Sequence, residues 1–228
     1  MKMPTSPQMI CRELPSFEAS NFDSVRAAFQ NAETCVLRQA WLPKPEADFA
    51  PAIVRAGWRD HSLLLFAELT DADIFTRATD HHQRFWELGD TFEIFLRPVE
   101  QKSYVEFHVT PNNLRLQLRF ADAGALEHSR KIDSFENVTV HDNLFHFKTW
   151  IQSNGGRWFA FAEIPAGSVG EKSKSLPGSK WLFSFSRYDY TRGRNEPVIS
   201  STSAHTKPDF HCQNEWGTLR FEPAITKP

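Results

Sequence analysis

Apolar and polar positions alternate with a period of two along most of this chain. The pattern is clearest at 114–120, where Leu114, Leu116, Leu118 and Phe120 alternate with Arg115, Gln117 and Arg119. Such alternation predicts a strand with one buried face. Short, β-rich apolar segments also occur at 35–41, 52–59, 62–69, 90–98, 103–111, 137–142 (NVTVHD), 144–152, 157–165, 180–190 and 216–222. Asp60-His61 separates two of them and predicts a tight hairpin. About eleven strands at this spacing predict an all-β fold, a distorted antiparallel β-sandwich of immunoglobulin or jelly-roll type, with little helix. Residues 20–33 predict one short helix capped by Ser20 or Asn21. The polar stretch 165–179 reads as a loop with one helical turn at its start. No internal repeat or linker divides the sequence, so a single domain over 1–228 is expected. Its core would span about 35–222, and 1–34 would form an N-terminal extension.

Composition narrows the functional classes. The chain has 228 residues and a net charge of -2, with no basic run. That argues against nucleic acid or an anionic membrane as partner, since both recruit clustered Lys and Arg. No apolar run approaches the ~18 residues of a membrane-spanning helix. The N-terminal residues lack the apolar core of a signal peptide, so a cytoplasmic location is the expectation. Cys11, Cys35 and Cys212 form neither a metal motif nor a disulfide framework and are expected as free thiols. GxSxG, HExxH, Walker and GxGxxG motifs are absent. Haem ligation by a Met/His pair is poorly served, because Met1, Met3 and Met9 are the only methionines. The unusual feature is aromatic weight, with 20 Phe and 7 Trp. It is more than enough for a core, and any surplus outside the core is a candidate for binding.

The stretch FWELGDTFEIFLRP (85–98) concentrates the candidate chemistry. Trp86 precedes Gly89-Asp90, where the chain turns into a strand with Phe92, Ile94 and Leu96 on one face and Thr91, Glu93 and Phe95 on the other. In the following strand, Val105, Phe107 and Val109 oppose Tyr104, Glu106 and His108. A face carrying Glu93, Glu106 and His108 is either an outer, solvated sheet surface or a polar binding floor with Trp86 at its rim. Sugars suit the second arrangement: a pyranose offers a C–H face to an aromatic ring and hydroxyls to carboxylates and imidazoles. The preceding loop is rich in acids, and Asp71, Asp73 and Asp80 are candidate oxygen ligands for a structural calcium ion.

WELGDTFEIFLRP followed by YVEFHVTPNN resembles the central signature of family 9 carbohydrate-binding modules. GWRDHSLLLFAELTDADI, GRWFAFAEIPAGSV, WLFSFSRYDY and DFHCQNEWGTLRF resemble further segments of that family, in the family's order, over roughly residues 35 to 222. The resemblance implies a non-catalytic, DOMON-like β-sandwich that binds a mono- or oligosaccharide, of the kind found with xylanases and other enzymes of polysaccharide breakdown. It implies an aromatic clamp formed by Trp86 and Phe210, or its neighbour His211. Polar ligands would be Glu93, His108, Ser186 and Arg187. Three departures stand out. Phenylalanine replaces the second clamp tryptophan, His108 replaces an arginine, and one residue, Leu88 or Gly89, is extra in the loop.

Two other readings compete. A glycoside-acting enzyme would use Glu93 with Glu106 or Asp189 as paired carboxylates about 5 to 10 Å apart. A protein-binding sandwich would carry an exposed apolar patch and no sugar pocket. In the sugar-binding reading, Arg187 extends the row Trp181, Phe183, Phe185 and meets Glu93 in the depression.

Overall fold

A computed structural model describes residues 5–170 and 176–223. Among the described residues, twelve strands form two sheets. The larger contains β1 (Gln8–Cys11), β5 (Thr91–Pro98), β6 (Tyr104–Val109), β7 (Arg115–Phe120), β10 (Lys180–Asp189), β11 (Val198–Ser201) and β12 (Gly217–Phe221), in the order β1-β12-β10-β5-β6-β7 with β11 beside β10. The smaller has the order β2-β3-β4-β9-β8, from Glu33–Val36, Ala52–Arg59, Ser62–Thr70, Arg157–Pro165 and His146–Gln152. The long β10 pairs along one edge with β5, and along the other with β12 and then β11. The hairpin at Asp60-His61 forms as expected. Both residues have positive φ, 48° and 67°, which joins Arg59 to Ser62 in register.

The inner faces enclose one apolar core. Phe92, Ile94 and Leu96 of β5 meet Val54, Leu63, Leu65 and Trp158 of the smaller sheet there. The outer face of the smaller sheet is also covered. Helix α1 (Phe22–Ala28), capped by Asn21 through Ser24 N at 3.0 Å, lays Val25 and Phe29 against Phe66, Phe159 and Phe161. Strands β4 and β9 are therefore buried on both sides, which is why they read as continuous apolar runs.

Several expectations need correction. Residues before 35 are built into the fold: β1 pairs in parallel with β12, and Met9 and Cys11 are core residues. Met1 and Met3 lie outside the described residues. NVTVHD forms a turn of 3-10 helix at Glu136–Val138 and touches β7 through a single bridge, Leu118 to Thr139. A second helix, α2 (Ala123–Lys131), and the four-residue β11 were not expected. The helical turn after Pro165 is present as α3 (Ala166–Val169), while 171–175 of the same loop lie outside the described residues. All three cysteines are free.

Strand β7 departs in a way that matters for the site. Its pairing with β6 puts Leu116 opposite His108, Leu118 opposite Glu106 and Phe120 opposite Tyr104. The apolar face of β7 therefore points outward. Gln117 points toward the core side and is buried, its amide bonded to the Val140 and Asp142 carbonyls at 3.0 and 2.9 Å.

Candidate functional site

The outer face of the larger sheet is polar as predicted, yet it is not solvated. Glu93, Glu106 and His108 are 3%, 1% and 2% exposed. They lie under a second apolar cluster that includes Phe85, Phe95, Tyr104, Leu118, Phe210 and Trp216. In the middle of this cover a cavity of about 250 Å³ remains, lined by Trp86, Glu93, Glu106, His108, Phe135, Tyr188 and His211 among others.

The segment 85–90 holds the rim. Phe85 is fully buried and anchors a turn of 3-10 helix at Phe85–Glu87, leaving Trp86 half-buried beside the cavity. The Trp86 carbonyl accepts from the Tyr190 hydroxyl at 2.6 Å. Gly89 has φ 151°, and a Cβ there would lie 2.6 Å from the Phe75 carbonyl oxygen, so only glycine allows the two segments to approach. Asp90 is fully buried and ties the turn in place, accepting from Phe75 N at 2.6 Å and Tyr190 N at 2.8 Å. Burial and the nearby Asp71 charge push the Asp90 carboxyl up to about 8.

The floor is a chain of charges. His108 Nε2 is bonded to Glu106 Oε2 at 3.2 Å, and His108 Nδ1 lies 3.0 Å from Glu93 Oε1. His211 Nδ1 lies 3.1 Å from Glu106 Oε1 and 3.4 Å from the Tyr104 hydroxyl. Burial alone would lower the His108 pKa, but the two carboxylates outweigh it and raise it to about 9. Burial would raise Glu106, yet His211 and His108 pull it down to about 2. The imidazolium and the Glu106 carboxylate are thus both held charged at neutral pH. The 3.0 Å and 3.1 Å contacts are ion pairs, and beyond them neither His108 Nδ1 nor Glu106 Oε1 makes a well-formed hydrogen bond within the protein. Buried polar atoms in this state favour a ligand that can pair with them.

Of the residues expected to converge, Trp86, Glu93, His108 and His211 do so. Arg187 does not. It follows Trp181, Phe183 and Phe185 on the inner face, paired in register with Phe92, and so lies across the sheet from Glu93. There its guanidinium reaches Asp71 at 2.9 Å, Asp189 at 3.1 Å and the Thr70 carbonyl at 2.6 Å. Ser186 is on the outer face opposite Glu93, but it is buried against Ser201 at 3.2 Å and does not line the cavity. Phe210 is 4% exposed, packed on Phe95 and Tyr188, and belongs to the cover rather than to a wall.

Asp71, Asp73 and Asp80 share no site. Asp71 binds Arg187, Asp73 pairs with Arg192 and Asp80 accepts from Thr79 at 2.7 Å. Among the described residues, the carboxylates that do converge are Asp71, Asp90 and Asp189, with oxygens within 4.8 Å of one another. The Arg187 guanidinium already sits against two of them, so this donor set fits a guanidinium rather than calcium.

The paired-carboxylate reading is weakened by the same geometry. Asp189 is engaged by Arg187 on the core side, so of the two expected pairs only Glu93 with Glu106 shares the cavity. Ser184, His205 and Glu215 form a hydrogen-bonded chain of 3.4 and 3.1 Å, but Ser184 is fully buried and offers no access to a substrate.

No family model matches the sequence, and no curated protein does. Solved structures do. A candidate carbohydrate-binding protein from Bacteroides uniformis superposes with a TM-score of 0.67 at 18% identity, covering 96% of this chain and 100% of that one. A family 9 carbohydrate-binding module from Caldicellulosiruptor kristjanssonii, in complex with glucose, gives 0.64 at 14% identity over 97% and 99%. The same kind of module in complex with cellotriose gives 0.63 at 15% identity over 97% and 98%. The chain has the β-sandwich fold of family 9 modules.

Proposed function

We propose that this protein binds a saccharide, without cleaving it, in the cavity beneath Trp86. The observation that carries the reading is the cavity floor: a buried imidazole nitrogen and a buried carboxylate oxygen, held by ion pairs without a well-formed hydrogen bond, lie beside a half-buried tryptophan. Sugar hydroxyls are donors and acceptors at once and match both atoms, while the indole stacks on the C–H face. The glucose and cellotriose held by structures of the same fold support this ligand class. A role beside enzymes that degrade cellulose- or xylan-type polysaccharides follows from the same reading.

Calorimetric titration of glucose into the wild type and Trp86→Ala tests it. Loss of the stacked ring should cost about 1–3 kcal/mol, which weakens binding about 5- to 150-fold, with the melting temperature little changed. Equal affinity in a folded Trp86→Ala protein removes Trp86 from the site. Hydrolysis of a β-glycoside by the pure protein, abolished in Glu93→Gln, would replace binding with catalysis.

A further inference from the structure

Phe210, expected as the partner of Trp86, is buried in the cover, which leaves the second wall of the cavity to another residue. We infer that Phe135 is that wall, and that it restricts the site to a single sugar ring; this rests on the saccharide reading above. Phe135 comes from the excursion between β7 and β8, a segment joined to the larger sheet by the single bridge from Thr139 to Leu118. Helix α2 starts on the Asp122 cap, which accepts from Ala125 N at 3.0 Å, and buries Leu126 in the outer cluster. The chain then turns through Asp133, whose φ of 50° is a conformation that aspartate tolerates better than most residues.

Arg84, two residues before Trp86, fixes this turn to the rim. It binds the Asp133 carboxylate at 2.6 Å and the Asp133 carbonyl, and its guanidinium lies 5.4 Å from the Phe135 ring centre. The Phe135 and Trp86 rings meet edge to face, 5.3 Å apart at 72°, so together they form an aromatic corner over the charged floor. Aromatic pairs favour this arrangement. The cavity of about 250 Å³ falls below the roughly 300–1,000 Å³ of pockets that take drug-sized ligands. One pyranose fits that description better than two. The clasp is accessible: Asp133 and Arg84 side chains are 84% and 31% exposed. The wall therefore depends on surface contacts that substitution can remove without opening the core.

The test is calorimetric titration of glucose, cellobiose and cellotriose into the wild type, Phe135→Ala and Phe135→Leu, with melting temperatures for each. The wild type should bind the three sugars within about threefold of one another, since added rings gain no contacts. Phe135→Ala should bind glucose about 5- to 50-fold more weakly, while cellotriose loses less, so that the ratio of the two affinities rises. Phe135→Leu, which keeps apolar bulk, should fall between. Wild-type affinity for glucose in a folded Phe135→Ala protein overturns the assignment of the wall. A weaker glucose complex with an unchanged ratio overturns the restriction to one ring. Absence of sugar binding by the wild type itself sinks the saccharide reading, and this inference with it.

Discussion

On the outer face of the five-stranded sheet, the cover is mainly apolar, with the partly buried Arg55–Glu68 ion pair beside it. Phe66 and Phe159 stack at 9° with centres 5.9 Å apart, and Phe29 and Phe22 of α1 close over them. On the outer face of the seven-stranded sheet, rings close over charge: Phe95, Trp216 and Phe210 surround Glu93, His108 and Glu106. The first arrangement needs no partner, because apolar surface is satisfied by apolar surface. The second holds its charges at a cost that mutual pairing only partly offsets, with the cavity beside Trp86 directly above them. Of two faces built on similar strands, the one whose buried polar atoms lack well-formed hydrogen bonds is the one suited to a ligand.

Substitutions should separate the faces. The largest effect is expected on the dry side: Phe66→Ala should lower stability by about 3–5 kcal/mol in urea denaturation and leave sugar affinity in the folded protein unchanged. A fall in affinity at full folding would couple the two faces. Between the sheets, Arg187→Met strips the cation from Asp71 and Asp189 and should cost a similar ~3–5 kcal/mol. It should not touch sugar binding, and a selective loss of affinity would return Arg187 to the site.

The wet face should carry a pH signature. The His108 pKa is raised to about 9 in the folded protein, against about 6.5 when unfolded. Its contribution to stability is fully present below about pH 6.5 and is lost as pH rises toward 9. Glu106 acts at the other end. Its pKa is depressed to about 2, so its contribution is present above about pH 4.5 and fades as pH falls toward 2. Urea midpoints measured from pH 6 to 9.5 should decline in the wild type and decline less steeply in His108→Gln, the remaining slope below about pH 8 coming from the buried Asp90 and Asp189 carboxyls, whose folded pKa values are raised. An unchanged alkaline limb in that variant would assign the decline elsewhere. The smallest effect is expected at the clasp, where Arg84→Ala removes an ion pair whose Asp133 partner is exposed and should change stability by about 0–1 kcal/mol.

The sequence made the sheet faces legible, because period-two alternation is local. Glu93, Glu106 and His108 could be placed together without coordinates, and so could the hairpin at Asp60-His61. Arg187 shows the limit of applying that rule loosely. Its alternation with Trp181, Phe183 and Phe185 puts it on the core face, whereas Glu93 points to the other face of the sheet. The acids that hold it, Asp71 and Asp189, are 116 residues away and two residues away. No local pattern joins them. Phe135 was invisible for a related reason. NVTVHD alternates like a strand, but it has only one bridge to β7 and closes into a 3-10 turn. Helix α2 carried a readable signal, an Asp122 cap with His128, Arg130 and Lys131 at its end. Its Gly124 and largely polar composition hid it.

The most direct measurement is a nuclear magnetic resonance titration of the full chain with glucose, following the His108 and His211 ring signals, the Trp86 indole and the Phe66 and Phe159 rings. The account predicts saturable shifts at His108, His211 and Trp86, with the rings beneath α1 unmoved. Saturable shifts centred on the α1 face, or none at His108 and Trp86 at saturating sugar, would contradict it.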